Sequence, residues 1–339
     1  MTTSRPEWGE KQSALAVACE YADRIRGKNI LITGVAPEGV GEGTANAFAS
    51  QNPANLMLLS RTKSKLDTVA DSIRLSYPET KIHTIVVDLG SQTSIRGAAE
   101  EVKSLIETLD IIVNNAGCTL RFRQWTAEGI EMQLGANHIG HFLLAKLLYP
   151  LLKAAARQSP KGATRVVNLS SHGHRLCPIR FHDYNMEYKT ALPPEEQPVF
   201  PMPPSFAKAQ PDGYQSIIAY SQSKTANILF TLSLQERATS SSIMSYAVHP
   251  GAVISHLGRE HEPDVAASIA QTAKYWKTSD EGASTTLVAC LDPMLDDRQS
   301  LYLADCQFFP CADFARDPDA AQRLWQLSEQ LIGERFVVD

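Results

Sequence analysis

Seven short apolar runs, separated by helical patterns, limit the folds open to this chain more than any other feature. They are NILIT (29–33), NLMLLS (55–60), KIHTIVVD (81–88), DIIVNN (110–115), TRVVNLS (164–170), IMSYAVH (243–249) and SLYLAD (300–305). The runs are continuously apolar rather than alternating, which is typical of parallel strands covered on both faces. Helical patterns at 64–76, 91–108, 127–157, 212–237 and 280–291 would supply that cover. We therefore expect an α/β fold with a doubly wound, seven-stranded parallel sheet in a single domain.

Two segments lie outside this alternation. Residues 1–27 include ALAVACEYADRI, which has an apolar face at helical spacing and predicts an N-terminal helical extension packed on a domain of residues 28–339. The stretch ALPPEEQPVFPMPP (191–204) has six prolines, which neither a helix nor a central strand accommodates. It belongs to an insertion, about 175–212. The insertion begins at the carboxyl ends of the parallel strands, which is where such sheets bind ligands. We interpret this insertion as a substrate loop that acts as a lid.

The composition is that of an ordinary globular protein. Of the 339 residues, 43% are hydrophobic, and the net charge of −5 indicates neither a nucleic-acid surface nor a polybasic membrane patch. The six cysteines form no Cys-x-x-Cys pair, so we expect reduced thiols and a cytoplasmic protein. No uncharged run approaches the roughly 18 residues that span a bilayer, so no membrane anchor is predicted. The sequence does not decide whether the chain forms a homo-oligomer.

A glycine-rich loop, ITGVAPEGVGEG (32–43), follows the first run and precedes the helical stretch TANAFA. A strand, a glycine-rich turn and a helix N-terminus in that order form a cradle for a pyrophosphate. Neither common spacing fits. Ala36 occupies the place of the middle glycine in G-x-G-x-x-G, and four residues instead of three separate Gly34 from Gly39. The sequence thus raises the question whether the loop still holds a dinucleotide.

Five further segments carry residues suited to chemistry. They are NNAG (114–117), NHIG (137–140), NLSS (168–171), YSQSK (220–224) and HPGAVIS (249–255). Tyr220 and Lys224 lie four residues apart on one helix face, where an ammonium group lowers the pKa of a phenol from ~10 toward neutral pH. Each segment alone has a plainer interpretation, such as a half-buried tyrosine beside a solvated lysine.

The order of these segments resembles the short-chain dehydrogenase/reductase family, from about Lys28 to Ser255. Farther on, EGASTTL (281–287), LYLADC (301–306) and AAQRLWQLSEQLIG (320–333) are similar to the retinol dehydrogenase and WW-domain oxidoreductase branch. The resemblance implies a Rossmann fold. It also resolves the opening loop, because Thr33-Gly34 and Gly39-x-Gly41 match the family's glycines with one residue added. An added residue lengthens the outer bow of the turn and leaves its ends in place, so we interpret the loop as a working site.

The resemblance implies a role for each matching residue. Tyr220 would donate a proton to a carbonyl or accept one from an alcohol, and Lys224 would lower the pKa of Tyr220 and bind the nicotinamide ribose. The substrate oxygen would bind Ser171, or Ser170 by a shift of one residue. The catalytic residues implied are Asn137, Ser171, Tyr220 and Lys224, with Asn137 supporting a water-linked proton relay. The cofactor-binding residues implied are Gly34, Gly39, Gly41, Ser60, Arg61, Asp88, Asn115, Tyr220, Lys224, Val253 and Ser255.

The choice between NADP and NAD is read at the end of the second run. Sites for NAD usually place an acidic residue there, whereas an arginine suits the 2′-phosphate of NADP. Here LLSRTKSK contains Ser60 and Arg61, and no acidic residue precedes Asp67. An arginine–phosphate contact is a strong charge-assisted hydrogen bond. The sequence therefore predicts NADP(H) and, with it, carbonyl reduction.

Three functions fit these residues unequally. The first is an NADPH-dependent reductase, or reversible dehydrogenase, for the carbonyl or alcohol of a small apolar or aromatic metabolite of secondary metabolism. The alternative is a catalytically silent NADP-binding sensor or scaffold, although such proteins usually lose the tyrosine or the lysine. An epimerase or dehydratase is a weak third. No metal site is predicted, because metal-ligand spacing is lacking among the loop histidines His172, His174 and His182.

Overall fold

An eight-stranded sheet forms the centre of the structure, a computed structural model that describes residues 2–297 and 300–338. Its strands are β1 (Asn29–Thr33), β2 (Asn55–Ser60), β3 (Ile82–Val86), β4 (Ile111–Asn114), β5 (Arg165–Leu169), β6 (Met244–His249), β9 (Tyr302–Ala304) and β10 (Gln307–Phe308); a separate parallel pair is β7 (Ala252–Val253) and β8 (Trp276–Lys277). The strand order in the large sheet is β10-β9-β6-β5-β4-β1-β2-β3.

The seven predicted parallel strands are confirmed, and the doubly wound order reverses between β1 and β4. Ile30 of β1 pairs with Leu56 of β2 on one side and with Ile111 of β4 on the other. An eighth strand, β10, pairs antiparallel with β9 at the sheet edge. The sequence did not predict it, because two residues are too few to form a recognisable apolar pattern.

Helices cover both faces of the sheet. They are α1 (Ala14–Glu20), α2 (Val40–Ala49), α3 (Lys63–Ser76), α4 (Gln92–Leu105), α5 (Met132–Leu134), α6 (Gly140–Ala156), α7 (Ser216–Arg237), α8 (Pro263–Thr272), α9 (Ser279–Leu291) and α10 (Pro318–Ile332). Alternate side chains of one strand enter opposite cores: Leu31 packs with α4, α6 and α7, whereas Ile30 and Ile32 pack with α1, α2 and α9. This two-sided burial explains why the runs read as continuously apolar.

The N-terminal segment does form a helix, α1, which packs against α2 and α9 through buried Ala14, Val17 and Ala18. Ser13 caps this helix by accepting a hydrogen bond from the backbone of Ala16. The outermost residues of the predicted segments, 1 and 339, lie outside the described residues. The domain boundary at residue 28 stays a prediction.

One helical stretch of the described chain, Met132–Ala156, has the length and apolarity needed to cross a membrane, with a mean hydropathy of 1.3. It comprises α5, a π-helical turn (Gly135–Ile139) and α6. Of its most apolar window, 61% is buried in the protein. Its apolarity is therefore that of a core helix packed between α4 and the sheet.

Candidate active site

The candidate residues meet at the edge of the sheet where the parallel strands end. The glycine loop follows β1, NNAG follows β4, Ser171 lies two residues beyond β5, and the HPG turn follows β6. Helix α7 carries Tyr220 and Lys224 along this edge. The chain reverses its direction of winding between β1 and β4, which is the position at which open α/β sheets bind ligands.

The glycine loop is tightly folded. A Cβ on Gly34, whose φ is +73°, would lie 2.5 Å from the Cα of Ala116. A Cβ on Gly41 would lie 2.7 Å from the carbonyl oxygen of Gly34, so the two ends of the loop are in contact. Gly39 is the N-cap of α2, and the preceding Glu38 has a φ of +62°. The extra residue thus widens the outer bow only, and the backbone approach that a pyrophosphate requires is kept.

Asn115 stabilises this loop from the neighbouring strand. Its Nδ2 donates hydrogen bonds to the carbonyl oxygens of Thr33, at 2.7 Å, and Gly34, at 3.2 Å. The resemblance placed Asn115 at the adenine end of a cofactor. In the structure its amide group holds the glycine loop, and the contact with the cofactor stays a prediction.

Asn137 lies in the π-helical turn, a local widening that often marks functional sites. Its side chain is fully buried: Oδ1 accepts from the backbone of Cys118 at 2.8 Å, and Nδ2 donates to Ser223 Oγ at 2.9 Å. A Cβ on Gly117 would lie 3.3 Å from Lys224 Nζ and 3.5 Å from Asn137 Oδ1. Asn137 and Lys224 therefore flank the same glycine.

Sequence reasoning missed His141, one turn after Asn137. His141 Nδ1 lies 2.9 Å from the carbonyl oxygen of Asn137, and Nε2 lies 2.8 Å from Thr33 Oγ1. A carbonyl only accepts, so Nδ1 carries the proton and Nε2 accepts from the threonine hydroxyl. Burial lowers the pKa of His141 to about 4, so the ring is neutral at physiological pH. The i, i+4 spacing within NHIGH was the available signal.

Ser171 and Tyr220 lie beside each other at Gly173, where a Cβ would be 3.4 Å from Ser171 Oγ and 3.5 Å from Tyr220 Cε1. Ser171 Oγ accepts from the backbone of Gly173 at 3.1 Å, which leaves its hydroxyl proton free to donate. Ser170, the alternative serine, is buried and donates to the carbonyl oxygen of Lys224 at 2.8 Å. Ser170 therefore fastens α7 to the sheet, and Ser171 is the serine that faces Tyr220.

The pKa values of the tyrosine and lysine depart from the prediction. Burial raises the pKa of Tyr220 to about 12, and the hydrogen bond with Ser171 acts in the opposite direction. Burial also lowers the pKa of Lys224 to about 8. Lys224 Nζ lies 5.5 Å from the centre of the Tyr220 ring and donates to the carbonyl oxygen of Leu169 at 3.1 Å. The lowered tyrosine pKa expected from the sequence was wrong for the protein alone, because burial dominates the pKa of Tyr220.

The residues assigned to the adenosine end follow β2 and β3. Ser60 ends β2, and the exposed Arg61 makes no ion pair with any described residue. The nearby Lys63, in contrast, is paired with Asp67. Asp88 lies two residues beyond β3 rather than within it, and its Oδ1 accepts from the backbone of Gly90 at 2.9 Å. Arg61 is thus a cation at this edge that has no ion pair among the described residues.

Val253 and Ser255 belong to the segment after β6. Val253 packs on the start of α9, where a Cβ on Gly282 would lie 2.6 Å from Val253 Cγ2. Ser255 caps a short 3₁₀ turn, and His256 in that turn lies 3.1 Å from the Glu38 carboxylate. This pair connects the glycine loop to the segment that follows β7.

The insertion reaches the rim of the site through its second half, which sequence reasoning did not resolve. Phe206 packs against Ile217, one turn before Tyr220, and against Val265 of α8. Glu262, just before α8, pairs with Arg121 at 2.6 Å and with Lys208 of the insertion at 2.9 Å. The paired loops and the apolar cluster border the space beside Tyr220.

The three loop histidines have separate partners. His172 stacks on His249 with ring centres 3.9 Å apart, and His174 Nδ1 lies 2.6 Å from the carbonyl oxygen of Ser171. His182 pairs with the carboxylate of Glu196 at 2.9 Å. They are loop-fastening residues, as the sequence indicated.

Together the glycine loop and the Ser171–Tyr220–Lys224 cluster define a dinucleotide-dependent oxidoreductase. The short chain dehydrogenase family model matches residues 28–185. Human retinol dehydrogenase 12 is 34% identical, over 94% of this chain and 90% of its own length. A crystal structure of an uncharacterized protein from Mycobacterium Paratuberculosis has a TM-score of 0.66 at 26% identity and covers 92% of this chain and 96% of its own. The NADP complex of Pseudomonas aeruginosa RhlG has the same fold, with a TM-score of 0.58 at 20% identity over 82% of this chain and 94% of that one.

The chain belongs to the short-chain dehydrogenase/reductase family, in its retinol dehydrogenase-like branch. It is an oxidoreductase that acts on alcohol or carbonyl groups with a nicotinamide cofactor. The residues present fit such a cofactor, because the glycine loop leads directly into the N-terminus of α2, whose backbone N–H groups suit a pyrophosphate. Gly34 and Gly41 are needed for the folding of this loop, since a Cβ on them would meet Ala116 and the Gly34 carbonyl oxygen.

Proposed function

We propose that the protein is an NADPH-dependent reductase for the carbonyl group of a small apolar or aromatic metabolite, running reversibly as an alcohol dehydrogenase. The observation that carries the proposal is the placement of Ser171 and Tyr220 side by side at Gly173, with Lys224 Nζ 5.5 Å from the centre of the Tyr220 ring. The bound cofactor supplies the hydride. Tyr220 holds its proton through the neutral range, because burial raises its pKa to about 12, and so serves as the proton donor to the substrate oxygen.

The assignment of NADPH rather than NADH rests on Arg61. Its guanidinium group is exposed at the end of β2 and is unengaged by any described carboxylate, so it is available to the 2′-phosphate. The glycine loop would hold the pyrophosphate, and Tyr220 and Lys224 the nicotinamide ribose. As part of the same proposal, the enzyme works in the cytoplasm and in secondary metabolism.

The apolar rim of the site supports an apolar substrate. Phe206, Ile217 and Val265 are each less than a tenth exposed and pack together one helical turn from Tyr220. A polar substrate would leave its hydrogen-bonding groups unpaired against this wall. Retinoid specificity is not carried over from the relatives.

A panel of aromatic and aliphatic ketones and aldehydes, assayed for NADPH oxidation by the purified protein, tests the proposal. In Tyr220→Phe we expect turnover to fall by roughly 10²- to 10⁴-fold, the usual contribution of a general acid, with NADPH affinity nearly unchanged. Tyr77→Phe, at the end of α3 and away from the site, is the matched control. NADPH binding without turnover of any compound would favour the sensor instead, and full turnover by Tyr220→Phe would refute the mechanism.

A further inference from the structure

The first half of the insertion forms a cleft that the reaction does not use. The cleft has a volume of about 340 Å³, near the lower end of the roughly 300–1,000 Å³ of small-molecule sites. Its walls include Tyr188, Leu192 and Phe200 of the insertion, and its floor includes Arg180 and Ile218.

The cleft lies on the opposite side of α7 from the catalytic tyrosine. Gln215 and Ile218 line it from the start of α7 and are three residues apart, so they share one face of the helix. At 100° per residue, Tyr220 points about 160° away from Ile218. A ligand in the cleft would therefore be separated from Tyr220 by the body of the helix.

The floor of the cleft contains an unsatisfied polar group. Arg180 is only 3% exposed, and its Nη2 pairs with the buried carboxylate of Asp183. Its Nε finds no hydrogen-bond acceptor among the described residues. A buried donor left unpaired costs about 1–3 kcal/mol, and an oxygen atom of a ligand beside the guanidinium group would relieve that cost.

The walls of the cleft carry two aromatic rings, Tyr188 and Phe200, and no carboxylate among the described residues that line it. The Tyr188 ring lies 4.7 Å from the Arg180 guanidinium carbon, and its hydroxyl donates to Gln215 Oε1 at 3.1 Å. Burial raises the pKa of Tyr188 to about 12, so the phenol stays neutral. Phe200 is 65% exposed and presents an open ring face at the rim. Because Asp183 already neutralises Arg180, an anion gains little here, whereas a flat apolar ring gains stacking contacts.

We propose that this cleft is a second ligand site, for a neutral planar aromatic molecule that bears a carbonyl or hydroxyl oxygen. The ring stacks between Phe200 and Tyr188, and the oxygen accepts from Arg180. The site is separate from the catalytic site and is formed by the part of the chain between Ser171 and Tyr220 that makes the insertion.

Titration of the NADPH-loaded Tyr220→Phe protein with 1-naphthol tests the proposal in the absence of turnover. We expect saturable binding that persists when the catalytic site is filled with a ketone or aldehyde that the wild-type enzyme reduces. Phe200→Ala should weaken binding by about tenfold, since a stacked ring is lost. Val199→Ala, which shortens the adjacent exposed side chain, is the matched control and should bind as before. The anion 1-naphthoate, with the same rings, should bind at least tenfold more weakly.

Three results would overturn the proposal. They are the absence of saturable naphthol binding, equal effects of Phe200→Ala and Val199→Ala, and displacement of naphthol by the carbonyl substrate. The last would make the cleft an extension of the catalytic site. Because Phe200 is largely exposed, its truncation should leave the fold intact, and an unchanged thermal midpoint would establish that. Binding is measured without catalysis, so failure here is distinguishable from failure of the reductase assignment.

Discussion

Arg61 is the residue on which cofactor choice should depend. Its guanidinium group lies at the end of β2 without a carboxylate partner in the described chain. We expect Arg61→Ala to weaken NADPH by roughly 10- to 150-fold, the equivalent of a charged hydrogen bond of about 1.5–3 kcal/mol. NADH, which lacks the 2′-phosphate, should bind nearly as before. Fluorescence titration of both cofactors measures this, with the exposed Lys65→Ala as control.

Equal weakening of NADPH and NADH by Arg61→Ala would show that Arg61 does not bind the phosphate. If Lys65→Ala weakened NADPH binding as much as Arg61→Ala, the effect would be due to the general positive charge along α3. Either outcome would leave the choice between the two cofactors to other residues.

At the residue scale, the sequence predicted which side chains lie close together but not which hydrogen bonds each of them makes. The resemblance put Ser171 and Tyr220 in one catalytic set, and the structure brings them together at Gly173. The 2.7 Å contact of Asn115 with Thr33 could not be predicted, because it depends on the folded loop. The pKa of Tyr220 could not be predicted either, because the extent of burial is a property of the folded chain.

At the scale of elements, Glu262, just before α8, connects α8 with two loops of the chain. Its carboxylate is only 13% exposed and pairs with Arg121 after β4 and Lys208 in the insertion. We expect Glu262→Gln to raise the substrate KM about threefold to tenfold. Without the two ion pairs, the loops at the rim of the active site would stay together for less of the time. A partly buried pair is worth on the order of 1 kcal/mol. NADPH affinity should not change.

Glu260→Gln is the matched control, since Glu260 is more exposed and has a weak contact at 3.9 Å with Arg259. Steady-state kinetics of both variants at low and high salt would measure the effect. If Glu260→Gln raised KM as much as Glu262→Gln, charge near the entrance rather than the specific pairing would be responsible. A loss of NADPH affinity in Glu262→Gln would instead connect α8 with the cofactor.

The elements themselves were largely predictable, and the exceptions have physical reasons. The pattern at 280–291 predicted α9, which runs Ser279–Leu291 with a capping box between Thr278 and Glu281. The two-residue strands β7 and β8 have no pattern long enough to detect. The π-helical turn Gly135–Ile139 was read as plain helix, since its widening depends on packing and on the contacts of Asn137. The division of the insertion between two faces of α7 likewise required the folded chain.

The whole molecule buries three neutral histidines, which should make it sensitive to mild acid. Burial lowers the pKa of His138 to about 3 and the pKa values of His141 and His174 to about 4. In the unfolded chain each has a pKa near 6.5. Below pH ~6.5 the unfolded state therefore binds more protons than the folded state. The free energy of unfolding is unaffected by these residues above that pH and decreases as the pH falls toward about 4.

The loss should amount to about 2 kcal/mol per histidine at pH 5, or about 6 kcal/mol in all, against a typical total stability of roughly 5–15 kcal/mol. Thermal midpoints measured from pH 7.5 to 5 should fall steeply. His138→Phe should flatten the curve by about a third, because the aromatic rings of Phe142 and Phe230 already pack around this position and Ser328 keeps its bond to the carbonyl oxygen of Leu324. A wild-type midpoint that stays constant down to pH 5 would mean that the buried histidines take up protons without unfolding, and the acid sensitivity predicted from their burial would be wrong.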